Sequence, residues 1–518
     1  MFADICTGLI SILTPETIGA VALGIFTGLM FGAIPGISGI MAISILLPLT
    51  FYVSPLVGIP MLLGIYKASM FGGSITAVLL NTPGAPPAVC TAMDGYPLTK
   101  QGKAGKGLNA ALVGSVFTGD RVLWIIIAAL AVISVLVVYS STAKMAYDAH
   151  TARSTAHFLR QQVGILILCV PIIVIVHKIN CRVYNRLAQP VYVLSLLLTL
   201  AVYFIGATTN GAARWIPVAG FQFQPSEALK VATILLLARR LSSCQSKIDR
   251  IRIVPSLNPF RWGRPAQRKI WREGTRPILL PVVLSCAVIF PAHTSSAMLV
   301  FLTSLVMMLI GRVRVSELVR LVGLACAALL LAGLLNLGRS ETAGGRVSTW
   351  IDLWTSSQTE KPIDRLTDTE RSMIAIHNGG LLGEGAGQSA MRVEMIHPES
   401  DYAYAFFVEE YGIILAGILL MLYLWIFFRA REIFVRCGTA FPGLLVLGLA
   451  LMITCQALLH VMVTVNLMPE TGQTLPLISR GGSSVLFTVI ALGMILSVSR
   501  QNDEHSHDTP RSESIYEK

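Results

Sequence analysis

Asp401 is the residue best placed to do chemistry. It closes a long polar segment and stands just before an apolar run that begins at Ala403. A carboxylate at such a boundary reads in two ways. Aspartate is among the preferred helix N-caps; a carboxylate held at a helix start is also favoured in its ionised form by the macrodipole, which suits a general base. Spacing alone leaves both open. Glu227 and Lys230 stand three residues apart at the start of another apolar run. On a soluble helix such a pair contributes only about 0.2–0.5 kcal/mol. At a membrane boundary isolated charges are costly and face a partner or a cavity, so the pair reads as structural or cavity-lining. The run from Gly379-Gly380 to Gln388-Ser389 resembles a phosphate-cradling glycine loop but lacks the GK[ST] ending of a P-loop. Turn geometry accounts for its glycines, with Gln388 and Ser389 as candidate sugar or phosphate contacts. Gly481-Gly482-Ser483-Ser484 opens the last apolar run, where small residues serve helix packing.

The elements that must position these residues follow from composition. Of 518 residues, 54% are apolar and 13% charged, and the mean hydropathy is +0.69. Soluble domains carry about 25% charged residues, so a soluble enzyme, a disordered regulator and a collagen-like fibre are excluded. A polytopic, all-α membrane protein fits, each span needing roughly 20 apolar residues. From Asp120 on, ten apolar runs lie near 122–139, 162–177, 190–206, 228–241, 278–291, 296–311, 315–337, 403–428, 441–463 and 484–498. Polar backbone must be satisfied within lipid, so these runs are helices. Nine cysteines are scattered with no CxxC pair, which excludes a disulfide framework or zinc site, and no metal-ligand spacing stands out. No cleavable signal peptide is evident; the first spans would direct insertion.

Orientation follows from the loops. Ser243–Arg276 carries nine basic residues against Asp249 and Glu273, and so is cytoplasmic. Counting crossings outward puts Arg182, Arg186, Arg312, Arg314, Arg429, Arg431 and Arg436 on the same side. The loop Gly338–Asp401, with ten acidic and six basic residues, falls between the seventh and eighth helices on the opposite side. The net charge of +12 is therefore a topology signal and not one for nucleic acid. The tail 501–518 is polar and reads as disordered.

Residues 1–118 read differently. Apolar runs near 18–34, 38–53 and 56–80 are interrupted by Pro35-Gly36 and followed by Asn81-Thr82-Pro83-Gly84, a pattern of broken helices typical of transporters. Phe31-Gly32-Ala33-Ile34-Pro35-Gly36, Leu46-Leu47-Pro48-Leu49-Thr50-Phe51, Gly64-Ile65-Tyr66, Phe71-Gly72-Gly73-Ser74-Ile75-Thr76, Asn81-Thr82-Pro83-Gly84 and Asp94-Gly95-Tyr96-Pro97 make this segment resemble the large membrane subunit of the tripartite tricarboxylate transporters, the TctA family. That subunit is several times longer. A quarter of a transporter has no second half to rock against, so transport by this segment is not expected.

From about Gly119 the chain resembles the SEDS family of peptidoglycan polymerases, in particular its FtsW branch. Four blocks in order carry the likeness. They are Asn210-Gly211-Ala212-Ala213-Arg214-Trp215 running into Pro225-Ser226-Glu227-Ala228-Leu229-Lys230; Ala375 to Ser389; Pro398-Glu399-Ser400-Asp401-Tyr402 with Glu409-Glu410-Tyr411-Gly412; and Met468-Pro469 to Ser483-Ser484. Family members often read His-Thr-Asp-Phe where this chain has Glu399-Ser400-Asp401-Tyr402, and Tyr where it has Arg480. Two likenesses that meet within a few residues describe a junction produced either by gene fusion or by an artefact of sequence assembly.

The resemblance implies a ten-helix SEDS bundle that polymerises lipid II during division beside a class B penicillin-binding protein in the bacterial inner membrane. Asp401 falls on the family's proposed catalytic Asp, taking the proton from an acceptor sugar hydroxyl as undecaprenyl pyrophosphate leaves. Arg214, Gln388, Ser389, Glu399, Ser479 and Arg480 would contact substrate. Glu227, Lys230 and Glu409 would be structural or line the cavity. No resident cofactor is implied; a Mg²⁺ ion would be shared with the substrate's pyrophosphate. The competing functions are a lipid II flippase and a tricarboxylate transporter component acting through residues 1–118.

Overall fold

The computed structural model describes the chain except residues 1–13, 35–38, 52, 85–87, 117, 143–154, 206, 210–211, 219–220, 246–247, 249–270, 335–339, 356–365, 396–399 and 509–518. Most of the basic segment Ser243–Arg276, the Pro35-Gly36 break and Glu399 lie outside the described residues. Two compact units, Met1–Thr118 and Gly119–Lys518, divide the chain.

In the first unit, helices α1 (Pro15–Gly32), α2 (Gly39–Thr50), α3 (Pro55–Leu80), α4 (Ala88–Lys100) and α5 (Ala104–Val116) follow one another. Gly24, Gly28 and Gly32 form a stripe four residues apart on α1. A Cβ at each would overlap the backbone of Met61, Ile65 and Ser69 on α3. Such small-residue stripes let apolar helices approach closely within a membrane, where lipid tails leave no hydrophobic drive between helices. Asn81, in the left-handed region at φ 55°, ends α3.

The second unit contains the ten helices expected. They are α6 (Arg121–Ser141), α7 (Thr155–Lys178), α8 (Cys181–Ile205), α9 (Pro225–Ser243), α10 (Arg276–Ile289), α11 (Thr294–Ile310), α12 (Val315–Leu334) and, after the polar loop, α16 (Ala403–Arg436), α17 (Ala440–Thr464) and α18 (Gly482–Asp508). The loop itself folds into α13 (Ser340–Thr355), α14 (Asp368–Gly379) and α15 (Met391–Glu394). Among the described residues seven helices are long and apolar enough to cross a membrane, six of them in this unit. The chain is a multi-pass membrane protein. Helices α17 and α18 are mostly buried and α9 nearly so, whereas α6, α7 and α8 turn Ile125, Ile167, Leu168, Ile175 and Leu197 outward. That division separates the core of the bundle from its lipid-facing shell.

Three observations differ from the sequence expectations. A small antiparallel sheet, β1 (Ala207–Thr209), β2 (Ala212–Val218) and β3 (Phe221–Phe223), joins α8 to α9 and interrupts the all-α architecture. Its register, Thr208 opposite Ala213 and Ile216 opposite Phe223, satisfies backbone that leaves the helices. The helix α18 runs on to Asp508, into the segment expected to be disordered. Its extension is held to the bundle: Gln501 donates to the Ile179 carbonyl and Asn502 to that of Ile433.

The third difference is a break in α16 at Gly412, where φ is 80° and ψ 168°. The glycine-rich loop packs into the break. Glu384 and Gly385 donate their N–H groups to the carbonyls of Glu409 and Glu410, at 2.9 and 3.0 Å, and Ile413 donates to Gly380 at 3.0 Å. A Cβ at Gly383 would overlap the Glu410 backbone, and one at Gly412 the Leu381 carbonyl. These glycines therefore serve close backbone approach, and the loop supplies the partners that a broken helix loses.

Gly412→Ala should lower the melting temperature in detergent by several degrees. Strain of about 1–3 kcal/mol is expected from the left-handed conformation before any clash is added. Gly417→Ala, on the same helix with open space around it, is the matched control and should melt with the parent. Equal melting of all three would contradict the break.

Candidate active site

Asp401 sits in the turn Ser400–Tyr402, partly exposed, immediately before α16. The N-cap of α16 is Tyr402, at φ −124° and ψ 23°, with no side-chain cap bond. Asp401 thus lies one residue outside the cap position that spacing allowed for it. Its Oδ2 is 3.7 Å from where a Cβ on Gly472 would stand, and Gly472 itself has φ 61°. The carboxylate therefore rests against bare backbone in a left-handed conformation that favours glycine.

Both neighbours of Asp401 are fixed to the segment between α17 and α18. The Ser479 hydroxyl donates to the Ser400 carbonyl at 2.8 Å and accepts from the Leu475 N–H at 2.8 Å. On the other side the buried Tyr402 hydroxyl donates to Glu470 Oε1 at 2.6 Å, where the Thr369 hydroxyl also donates at 3.0 Å. Burial, and then the Glu470 carboxylate, push the Tyr402 phenol well above its usual range. It stays a donor, and the turn stays anchored.

The sequence-nominated residues separate into two groups. Lys230 and Glu227 form a buried ion pair at 2.8 Å, and Lys230 also donates to Gln456 Oε1 at 3.1 Å. Gln456 in turn donates to the Thr474 carbonyl at 2.9 Å, so the pair reaches the segment beside Asp401. Arg214, on β2, donates through Nε to the Ala292 carbonyl at 2.8 Å and shares a crevice with Gln224, Ser226 and His293. Ser479 belongs to this group too, with its hydroxyl committed to the Ser400 turn.

The others lie elsewhere. The Ser389 hydroxyl is buried and donates to Glu409, which also accepts from the Met391 N–H at 3.3 Å and from Asn378 at 3.4 Å. Ser389 and the fully buried Glu409 therefore hold the glycine loop to α16, while Gln388 is exposed on that loop. Arg480 stacks 4.5 Å above the Phe158 ring and donates to Gln161 at 3.3 Å, both near the start of α7. Among the described residues no group of three or more His, Cys, Asp and Glu side chains could hold a metal ion.

Sequence reasoning missed two histidines. His293 is the N-cap of α11 and accepts the Ser296 N–H through Nδ1 at 3.3 Å. Burial, reinforced by the charges of Arg214 and Lys230, lowers its pKa to about 3. His460, on α17, lies between the Tyr404 N–H and the Gln473 carbonyl. His293 stands alone between two apolar runs and His460 alone inside one, and the only signal was the capping pattern His293-Thr294-Ser295-Ser296.

The fold and site define a membrane-embedded bundle with a partly exposed carboxylate, Asp401, in the turn before α16. Residues 120–504 match the model of the cell cycle protein family that comprises FtsW, RodA and SpoVE, and the chain belongs to that family. Residues 18–214 match the tripartite tricarboxylate transporter TctA family, a match that overlaps the first and extends past residue 118. A probable peptidoglycan glycosyltransferase FtsW of Geobacter sulfurreducens is 27% identical over 387 residues, 73% of this chain and 95% of its own. The Aliivibrio salmonicida FtsW is 25% identical over 70% of this chain and 85% of its own. The stage V sporulation protein E of Bacillus subtilis is 27% identical over 74% and 97%. Among solved structures, a chain from a peptidoglycan synthase complex that coordinates polymerization and crosslinking superposes with a TM-score of 0.54 at 24% identity, covering 74% of this chain and 98% of its own. That likeness shares the fold.

The depressed pKa of His293 makes a stability prediction. The unfolded ring takes up a proton below its usual value near 6.5 while the folded ring stays neutral to about 3. Its contribution is complete above pH 6.5 and falls away as the pH drops toward 3. Melting temperatures measured between pH 7.5 and 5 should therefore fall more steeply for the parent than for His293→Asn, which keeps the cap and does not titrate. Parallel curves would contradict the assignment.

Proposed function

We propose that this protein is a peptidoglycan glycosyltransferase that polymerises lipid II, with Asp401 as general base. The observation that supports this reading best is the turn Ser400–Tyr402, fixed through both neighbours of a partly exposed carboxylate. A base held in place before substrate arrives needs little reorganisation in the transition state. Asp401 takes the proton from the acceptor sugar hydroxyl, the oxygen attacks the donor's anomeric carbon, and the bond to undecaprenyl pyrophosphate breaks. Such a base contributes about 10²–10⁴ in rate. Arg214 supplies guanidinium charge for the leaving pyrophosphate, where planar donors match phosphate oxygens; Arg480 is a second candidate. A divalent ion enters with the pyrophosphate as part of the substrate.

The finer reading is septal synthesis in the bacterial inner membrane together with a class B penicillin-binding protein. It draws on the FtsW names of the relatives and on the synthase complex of similar fold. The positive-inside rule supports an extracytoplasmic Asp401, because Arg429, Arg431 and Arg436 stand at the other end of α16. The flippase alternative would use the buried Glu227–Lys230 pair as a moving charge, but that pair is already satisfied by Gln456.

Purified full-length protein with its transpeptidase partner should convert labelled lipid II into glycan strands, and Asp401→Ala should lose at least about 10²-fold of that rate. Equal polymerisation by the variant would sink the assignment. Loss of lipid transfer across vesicles with glycan synthesis intact would favour a flippase.

A further inference from the structure

The segment Glu470–Thr474 is held carbonyl by carbonyl. Arg346 Nη1 donates to the Glu470 oxygen at 3.3 Å, the Ser295 hydroxyl to that of Thr471 at 2.5 Å, and Gln456 to that of Thr474 at 2.9 Å. Between them, Gly472, which lies against Asp401, and Gln473 after it meet two imidazoles. His460 approaches the Gln473 oxygen through Nδ1 at 2.7 Å, and the Gln473 side-chain amide reaches His293 Nδ1 at 3.3 Å, beside the Gly472 backbone.

Each ring has its tautomer fixed by its other bond. The Tyr404 N–H donates to His460 Nε2 at 3.3 Å, so the proton of that ring is on Nδ1 and is donated to Gln473. The Ser296 N–H donates to His293 Nδ1 at 3.3 Å, so the proton of that ring is on Nε2, and the Gly472 backbone lies within hydrogen-bond reach of the ring. Neither bond set survives protonation, because each ring needs one nitrogen as an acceptor. Tyr404 also lies in the first turn of α16, whose N–H groups have no partner within the helix. His460 therefore ties the helix start that follows Asp401 to the residue after Gly472, and His293 ties Gly472 to the start of α11.

We propose that His293 and His460 are positioning residues of the reaction, two neutral imidazoles that fix Gly472 and the first turn of α16 and thereby set where the Asp401 carboxylate stands. This rests on the reading of Asp401 as the base. A misplacement of about 1 Å at a reacting group can cost 10²-fold in rate, whereas the surfaces that bind lipid-linked substrate would be little changed. The signature is a fall in kcat at nearly constant KM.

The test uses the full-length protein with its transpeptidase partner, labelled lipid II, and four variants. His293→Asn keeps the capping acceptor and removes the bond to Gly472. His460→Leu removes both bonds, and His460→Asn restores a donor to the Gln473 carbonyl. Asp401→Asn reports on the base reading. We expect His293→Asn and His460→Leu to lower kcat about 10- to 100-fold with KM within about threefold and unchanged melting of His293→Asn, and His460→Asn to recover most of the rate. Parental kcat in His293→Asn and His460→Leu overturns the proposal, and so does a loss of rate that tracks a loss of melting temperature. Should His460→Leu fail to fold, His293→Asn alone decides. An inactive Asp401→Asn beside fully active histidine variants overturns only the positioning role, whereas an active Asp401→Asn removes the base on which that role rests.

Discussion

A carboxylate at the mouth of an apolar bundle is useful only if something other than its own side chain keeps it there. In this protein that constraint is the pairing of the Ser400–Tyr402 turn with the segment Glu470–Ser479. Ser479 bonds the residue before Asp401, Glu470 bonds the residue after it, and Gly472 lies bare against the carboxylate itself. Because these bonds come from sequence some seventy residues away, the turn is placed by tertiary structure and not by local preference.

The rest of the bundle serves that pairing. Helix α17 ends at Thr464, a short turn before the segment, and its Gln456 and His460 bond into it. Helix α9 brings the Lys230–Glu227 pair to Gln456. A buried ion pair is weak evidence for stability, since desolvation offsets much of the attraction. Its third bond to Gln456 gives it a positional meaning that two charges alone would lack. The break at Gly412 and the glycine loop that fills it hold the first turns of α16 at their own angle. Glu409 accepts from Ser389 on that loop, and Glu410 accepts both the Gly387 N–H at 2.8 Å and the hydroxyl of Ser140 on α6.

The ten helices were legible because a membrane span is a long and redundant signal: each run in the second unit became a helix, though α7, α8, α16 and α18 extend seven to ten residues beyond theirs. Features that depend on few residues were not. The sheet between α8 and α9 has outer strands of three residues each, too short for alternation to register. The last helix outlasts its apolar run because Gln501 and Asn502 find carbonyls that the sequence cannot show. Asp401 was identified as a carboxylate at a helix start, but the cap shifted by one residue to Tyr402. Ser389 looked like a substrate contact on a glycine loop, and its hydroxyl proved to belong to Glu409. His293 and His460 stayed invisible because their partners, Gly472 and Gln473, are remote in sequence from the first and separated from the second by the end of a helix.

The central claim is that one carboxylate makes a sugar hydroxyl nucleophilic. Chemical rescue tests it most directly: the rate of lipid II polymerisation by Asp401→Ala, measured with rising formate and with chloride at matched ionic strength. The account predicts a rate that climbs with formate and not with chloride, because a small carboxylate can occupy the space left beside Gly472. An Asp401→Ala protein as fast as the parent without formate would contradict it.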